Sequence, residues 1–192
     1  NYNFAVVRLK ADGSLDTSFG NPVSTGSSSK TGKAIVDLVA GSNDFLNAMV
    51  VQTDGKIVLA GYTVAQPSGV TTSSNNVAVV RLNSDGSADS SFGSNGQVVL
   101  DVGAGTDDQV SAVEIQADGK ILLAGSTTAQ PSGNFGTSKN YGILRLNANG
   151  SVDSTFGSNG KVLLDLKNQS IDTATAIKVR ADGKIVVAGT TN

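Results

Sequence analysis

The sequence predicts an all-β protein built from repeated four-stranded antiparallel sheets, and three observations predict it. The stretch "NSDGSADSSFGSNGQVVLD" at residues 83–101 returns as "NANGSVDSTFGSNGKVLLD" at 147–165, and a longer copy begins at residue 10. Each copy belongs to a unit with four short apolar runs separated by turn residues. Runs such as "IVLAG" are continuously apolar, which indicates sheets covered on both faces. Stacked sheets of this kind are typical of β-propeller blades.

The repeat has a fixed period that can be counted on the sequence. Asp54, Asp118 and Asp182 occupy the same Asp-Gly-Lys turn and follow one another at intervals of 64 residues. The first copy carries nine extra residues between Gly20 and Gly32. We therefore expect one repeat array over 1–192, with units at about 1–75, 76–139 and 140–192. A parallel β-helix is the alternative fold, but its coils are usually much shorter than this period.

Four strands per unit follow from the local patterns. The run before each Asp-Gly turn is assigned as the inner strand, because Ala48, Ala112 and Ala176 provide small residues where blades crowd around an axis. The turn, which tolerates positive φ, leads into the second strand, "KILLAG" in the middle unit. The run "YGILRL" is the third strand and "KVLLD" the outer one. No long segment shows helical periodicity.

The phase of the repeat predicts two complete blades and two half-blades. The chain starts in a third strand, at 3–9, and ends after a second strand near Gly189. These edges are complementary, so we expect other copies of the chain, or further repeats of the same parent protein, to pair with them. Closure of two copies gives a six-bladed ring, and a rotation that does not close gives a filament. Because it begins with Asn1, we expect a processed product or a segment of a longer protein.

Composition excludes several function classes. Cysteine and histidine are absent, which excludes disulfides, thiolate nucleophiles, Cys/His zinc sites and a Ser-His-Asp triad. Glu114 is the only glutamate, so a hydrolase with two catalytic carboxylates would have to be built almost wholly from aspartates. We expect no catalytic residues and no enzyme. The net charge of -2 and the lack of a long apolar run argue against nucleic acid and against membrane insertion.

The repeated motifs resemble a known family, the bacterial delta-60 repeat. The matching pieces are "FAVVRLKADGSLDTSFG", "VAVVRLNSDGSADSSFG" and "YGILRLNANGSVDSTFG", together with "DGKIVLAG", "DGKILLAG" and "DGKIVVAG". The resemblance covers nearly all of the chain. It implies a β-propeller repeat of large secreted or cell-surface proteins, and it carries no established catalytic residues.

An arginine, an aspartate and a phenylalanine recur in every unit, and we expect all three to have a structural role. An arginine in a strand of apolar residues needs a charged partner, and the candidates are an aspartate in the following turn or one on the outer strand (Asp37, Asp101, Asp165). The phenylalanine that ends the same turn is expected to fill the core. The predicted structural residues are Arg8, Arg81, Arg145, Asp16, Asp89, Asp153, Phe19, Phe92 and Phe156.

Aspartates also suggest two alternative cation sites. Asp44, Asp108 and Asp172 precede the inner strands, and a ring of carboxylates near the axis could hold calcium. The "DGSxDxxFG" turns carry further oxygen ligands, although their spacing departs from the calcium-loop pattern and fits turns closed by side-chain hydrogen bonds. These aspartates also allow a further hypothesis about function, a hydrolase whose catalytic residues are Asp108 or Asp172.

Aromatic residues mark the face on which a ligand would be sought. Tyr62, Phe135 and Tyr141 lie at positions that differ between units, on or near the face with the "AQPSG" loops. They are the candidate ligand-binding residues of a glycan-binding propeller. The leading hypothesis is a non-enzymatic extracellular scaffold, adhesin segment or fibre subunit that needs no cofactor.

Overall fold

The protein consists of twelve β-strands in the part of the chain that the structure describes. That structure is a computed structural model and describes residues 1–22, 27–64, 74–131, 135–167 and 170–192, without the side chains of 135–137. The strands are β1 (Phe4–Val7), β2 (Lys33–Val36), β3 (Asp44–Val51), β4 (Ile57–Thr63), β5 (Asn76–Leu82), β6 (Gln97–Leu100), β7 (Asp108–Ile115), β8 (Ile121–Ala129), β9 (Phe135–Leu146), β10 (Lys161–Leu164), β11 (Thr173–Val179) and β12 (Ile185–Thr190). The described residues include no helix that could cross a membrane.

The strands form four antiparallel sheets, which confirms the all-β prediction. Half-blade 1 contains β1 and β2, blade 2 contains β3 to β6 in sequential order, blade 3 contains β7 to β10, and half-blade 4 contains β11 and β12. Strand β7 lies between β3 and β11, so the run before each Asp-Gly turn is the strand at which neighbouring blades meet most closely. The sheet order therefore agrees with the predicted inner, second, third and outer strands.

Three hydrophobic cores lie between the blades rather than within them. Side chains alternate along each strand, so Ile57 and Leu59 face half-blade 1 while Val58 and Ala60 face blade 3. A further core, which includes Leu122, joins blade 3 to half-blade 4. Since both sheet faces are covered, the near-continuous apolar runs in the sequence are explained.

Every inner strand has a β-bulge opposite a glycine. In blade 2 the register shifts between Leu46 and Ala48, so Asn47 has no partner residue on β4. The glycine opposite the shift, Gly61, has no room for a side chain, because a Cβ there would lie 1.9 Å from the Phe45 carbonyl oxygen. The same shifts occur at 110/112 in blade 3 and at 174/176 in half-blade 4. The Asn47 amide donates a hydrogen bond to Val110 O of the next blade at 2.8 Å, so the bulge also links blades.

Strand β9 is longer than the sequence pattern indicates. The third strand was expected at 141–146, but β9 begins at Phe135, and Ala129 pairs with Phe135 across the hairpin. The ladder continues past a register shift between Thr127 and Ala129. Part of the predicted loop region is therefore strand in blade 3.

Candidate functional site

The recurring arginine, aspartate and phenylalanine of each unit form one compact cluster, called here the Arg-Asp-Phe cluster. Each arginine Nε donates to the Oδ2 of the aspartate eight residues later, at 2.8 Å from Arg8, 2.6 Å from Arg81 and 2.7 Å from Arg145. Each guanidinium also lies 4.6–4.7 Å from the ring centroid of the phenylalanine in the same turn. The partner of the arginine is therefore the turn aspartate, in Asp16, Asp89 and Asp153, and not the aspartate that follows the outer strand.

The outer-strand alternative is excluded in blade 2 by the bonds that Asp101 makes instead. Its carboxylate accepts hydrogen bonds from Gly103 N at 3.2 Å and Gly105 N at 2.7 Å, within its own connecting loop. The same carboxylate also raises the pKa of nearby Asp108. Asp101 is thus part of the loop between blades 2 and 3.

The first two Arg-Asp-Phe clusters, in half-blade 1 and blade 2, also contact the corresponding turn of the next blade. Arg8 Nη1 donates to Ser84 O, and Arg81 Nη1 donates to Ala148 O at 2.5 Å. Gly20 N donates to Asp85 O at 2.9 Å, and Gly93 N repeats that bond one blade later with Asn149 O at 2.8 Å. The cluster is therefore a fastening between blades as well as a closure of its own turn.

The phenylalanine of the cluster packs against a glycine of the next turn. A Cβ at Gly86 would lie 2.9 Å from a Phe19 ring carbon, and one at Gly150 would lie 3.0 Å from Phe92. Both glycines have positive φ, so the repeated Asp-Gly or Asn-Gly pair serves the turn and the close approach of two blades at once.

A lysine provides the second cation to the cluster in the complete blades. Lys56 Nζ lies 2.8 Å from Asp89 Oδ2, and Lys120 Nζ lies 3.0 Å from Asp153 Oδ2. Burial raises the pKa of Asp89, but the bonds from Lys56, Ser91 and the arginine outweigh it, so the net pKa is well below the usual range. This aspartate is therefore ionised in the folded protein at neutral pH.

The "DGSxDxxFG" turns, the second candidate for a calcium site, are closed by their own side chains. Asp12 Oδ1 accepts hydrogen bonds from Ser14 N at 2.9 Å and from the Ser14 hydroxyl at 2.6 Å. Asp85 and Asn149 make the same pair of bonds one and two units later. These are turns in which the Asx side chain caps its own backbone.

Asp44, Asp108 and Asp172 are buried, and each closes the connection between two blades. One carboxylate oxygen accepts the backbone N-H six residues earlier, at 3.0 Å from Leu38, 2.7 Å from Val102 and 2.8 Å from Leu166. The other oxygen accepts hydroxyl donors, such as Thr63 for Asp44 and Thr127 for Asp108. Within the described ranges, no three acidic side chains approach closely enough to hold a metal ion. The predicted carboxylate ring is thus three separate loop closures.

The pKa values of the equivalent residues Asp108 and Asp172 differ because the surroundings of the two carboxylates differ. Burial raises the pKa of Asp108 to about 6, and neighbouring Asp101 adds to the effect. Burial also raises the pKa of Asp172, but the bonds from Leu166 N, Thr191 and Ser170, together with the charge of Lys167, lower it overall. The pKa values of Asp108 and Asp172 are therefore shifted in opposite directions.

Tyr62 belongs to an aromatic group that the sequence alone did not show. Its ring stacks on Phe45 with 4.8 Å between centroids, and Phe45 lies 5.3 Å from Tyr2 of half-blade 1. The tyrosine at residue 2 is 66% exposed. All three positions are polar in the other units, where they hold Asn75 and Lys139, Gln109 and Thr173, and Ser126 and Thr190. The sequence does show that all three residues are aromatic in only one unit, but they are far apart along the chain, so the sequence does not show that their rings are in contact.

The other two candidate ligand-binding residues do not join this group. Tyr141 is 6% exposed and lies in the core between blade 3 and half-blade 4, so its ring is not presented to a ligand. The side chain of Phe135 lies outside the described part of the chain. The sequence pattern predicts that the third strand begins at Tyr141, beside the loop, whereas β9 begins six residues earlier and Tyr141 lies within the strand.

Comparison with known proteins agrees with the repeated blades. A family model described as a domain of unknown function, DUF5122 β-propeller, matches residues 1–19, 52–92 and 116–156, over half of the chain. The chain belongs to the DUF5122 β-propeller family. This is the family of the delta-60 repeat type, so the resemblance read from the motifs is confirmed. The matched ranges contain all three Arg-Asp-Phe clusters. A search of curated proteins found no match.

Proposed function

We propose that this DUF5122 propeller array is a non-enzymatic structural module of the cell surface or of a secreted protein, and that blade-to-blade fastening is its mechanism. The observation that carries the proposal is the Arg-Asp-Phe cluster, which bonds half-blade 1 to blade 2 and blade 2 to blade 3. The charged residues that recur in every unit are engaged in these contacts and in loop closures. Residues that repeat once per blade suit a load shared along an array better than one catalytic centre.

The extracellular part of the proposal is tested by locating the protein on cells of its source. An antibody raised against the purified chain is applied to intact cells and to permeabilised cells, with a cytoplasmic protein as the control for leakage. Labelling of intact cells, or recovery of the protein from the medium, is the expected result. Labelling that requires permeabilisation would contradict the proposal.

A second candidate function, binding of a glycan, is favoured by the aromatic group of Tyr2, Phe45 and Tyr62. The repeat fold does not require aromatic side chains there, since the other units have polar residues at the same positions. Partly exposed aromatic rings present an apolar surface beside polar groups, and the C-H face of a sugar ring is a suitable partner for such a surface.

The test of this candidate uses residues that the fold already accepts. Phe45→Gln and Tyr62→Ser introduce the residues of the middle unit, Gln109 and Ser126. Met49→Ala, which removes another exposed apolar side chain of β3, is the matched control. On a glycan array, binding that both aromatic variants lose and the control retains supports the candidate, whereas absence of binding by the original chain excludes it for the glycans tested.

A further inference from the structure

We infer that a cavity beside the outer strand of blade 3 binds a small organic carboxylate with an aliphatic body, and that Lys161 pairs with the carboxylate. The cavity has a volume of about 570 Å³, within the range of about 300–1,000 Å³ that is usual for small-molecule sites. It is lined by the loop between β6 and β7 at Gly103, Ala104 and Thr106, by residues 129–131 at the end of β8, and by residues 157–158 and 161–163 at the start of β10. This binding is a further activity, beyond the proposed structural function.

The cavity lies at the junction of two complete blades. Ala129 and Leu163 line it and also contact the hydrophobic core between blades 2 and 3. The loop that forms the opposite wall, at Gly103, joins the last strand of blade 2 to the first strand of blade 3. All four strands of both blades are present. The cavity is therefore a feature of the repeat array itself and does not depend on the half-blades.

Lys161 supplies a cation to the cavity that has no acidic partner among the described residues. Its Nζ donates a hydrogen bond to the backbone carbonyl of Val102, and it takes part in none of the ion pairs that the described residues form. The bond to Val102 holds the ammonium group against the loop wall. An ammonium group has three donors, so two remain for a ligand. A carboxylate is a suitable acceptor, because hydrogen bonds between two charged groups are the strong ones.

The rest of the wall is mostly aliphatic, which favours an apolar ligand body. Ala104, Pro131, Val162 and Leu163 present alkyl groups, and no aromatic side chain is among the described lining residues. An aliphatic chain placed against these groups is removed from water, which is favourable. The cavity therefore suits a ligand with one polar head and an aliphatic body.

Two of the polar side chains in the wall are already engaged within the fold. The Gln130 amide donates to the Ser138 carbonyl oxygen at 3.2 Å. The Thr106 hydroxyl donates to Asp108 Oδ1 at 3.0 Å. The ammonium of Lys161 is therefore the strongest polar group that the wall offers to a ligand head.

The charges around the cavity favour a ligand with a single negative charge. The Asp101 carboxylate accepts hydrogen bonds from Gly103 N at 3.2 Å and from Gly105 N at 2.7 Å, so it lies at the loop that forms one wall. A phosphate monoester carries a charge of about −1.5 to −2 at pH 7. Asp101 would repel this larger charge, and one ammonium group would not balance it. A carboxylate carries one negative charge, which matches the single cation at Lys161.

The repeat fold does not require the residues that give this cavity its charge and its space. The position of Lys161 is held by Gln97 in blade 2, and the position of Gly103 is held by Val39 in the preceding loop. A Cβ at Gly103 would lie 3.1 Å from the Ala129 Cβ, so a side chain at this position would occupy the space beside Ala129. The lysine and the glycine therefore occur together at one junction, where both contribute to the same cavity.

Titration of the original chain with three matched probes tests the ligand class. Hexanoate, 1-hexanol and hexyl phosphate share one aliphatic chain and differ in the head group, and ¹H-¹⁵N NMR gives the affinity of each from the amide signals of Gly103 and Lys161. We expect hexanoate to bind at least about tenfold more tightly than 1-hexanol, because only the carboxylate forms a charge-assisted hydrogen bond. Absence of hexanoate binding, or equal affinity for hexanoate and 1-hexanol, overturns the inference. Tighter binding of hexyl phosphate overturns the assignment of a carboxylate.

Substitution of Lys161 tests the residue assigned to the carboxylate. Lys161→Gln introduces the residue that blade 2 has at this position, and Lys33→Gln, at the equivalent position of half-blade 1, is the matched control. We expect Lys161→Gln to bind hexanoate about tenfold more weakly, as weakly as 1-hexanol, while Lys33→Gln binds it like the original chain. Unchanged hexanoate binding by Lys161→Gln, or an equal loss in both variants, overturns the role of Lys161.

Substitution of Gly103 tests the cavity as the place of binding. Gly103→Val introduces the residue of the preceding loop, Val39, and fills space beside Ala129. It should weaken hexanoate and 1-hexanol by the same factor, because it removes room for the aliphatic body and leaves Lys161 in place. Unchanged affinity for both probes in a variant with the original circular dichroism spectrum overturns this cavity as the site. The cell-labelling test of the proposed structural function is independent of these results.

Discussion

Removing the guanidinium of Arg81 gives the sharpest test of what fastens the blades. The Arg81→Met variant keeps an apolar stem but leaves Asp89 without its shortest ion pair, at 2.6 Å, in a site where both side chains are 7% exposed. Truncating one partner of a buried pair costs about 3–5 kcal/mol. Lys56 remains 2.8 Å from the Asp89 carboxylate, so it offsets part of this loss of stability. The lost cation-π contact with Phe92 adds about 1 kcal/mol to the loss. We expect the free energy of unfolding to fall by about 4 kcal/mol.

The repeat provides matched controls for this substitution. The arginine side chain is 36% exposed at Arg8 and 18% exposed at Arg145, although both have the same aspartate and phenylalanine partners. Because exposed ion pairs contribute little, the loss should decrease in the order Arg81, Arg145, Arg8. Urea unfolding followed by circular dichroism measures this loss of unfolding free energy. If the free energy of unfolding falls by about 2 kcal/mol per M urea, the loss expected for Arg81→Met lowers the unfolding midpoint by about 2 M. Equal losses at the three sites would refute burial as the determinant.

Three further predictions concern stability. Since Asp108 has a folded-state pKa of about 6, above its unfolded value, its protonation stabilises the fold at low pH, and this contribution is lost as pH rises from about 4 to 6. Asp108→Asn should remove that part of the pH dependence in urea unfolding at pH 4.5 and 7, and an unchanged dependence would contradict the assignment. Gly61→Ala should shift the bulge and destabilise blade 2, because the new Cβ would lie 1.9 Å from a carbonyl oxygen; a thermal midpoint equal to that of the original chain would disprove this. Phe92→Ala should cost about 3–5 kcal/mol, and more than Phe156→Ala, because Phe92 is fully buried and Phe156 is not; the reverse order in urea unfolding would be inconsistent with the packing described.

The sequence by itself determined the features that depend on local patterns. Alternation, turn residues and a period of 64 gave the strand order of each blade and the boundaries of the two half-blades. The sequence also predicted that Arg8, Arg81 and Arg145 each have an acidic partner, because a charged residue in an apolar strand needs one. Repetition supports these predictions, because each pattern occurs in more than one unit.

Only the tertiary structure decided which distant groups meet. The structure shows that Arg81 pairs with Asp89 and not with Asp101. It also shows that Asp108 is buried in the loop between blades 2 and 3, where it accepts the Val102 N-H. It also buried Tyr141 and brought Tyr2 to Phe45 across two blades. The physical reason is that hydrogen bonds and packing between blades depend on stacking distance and on strand register, which the pattern of one strand does not contain.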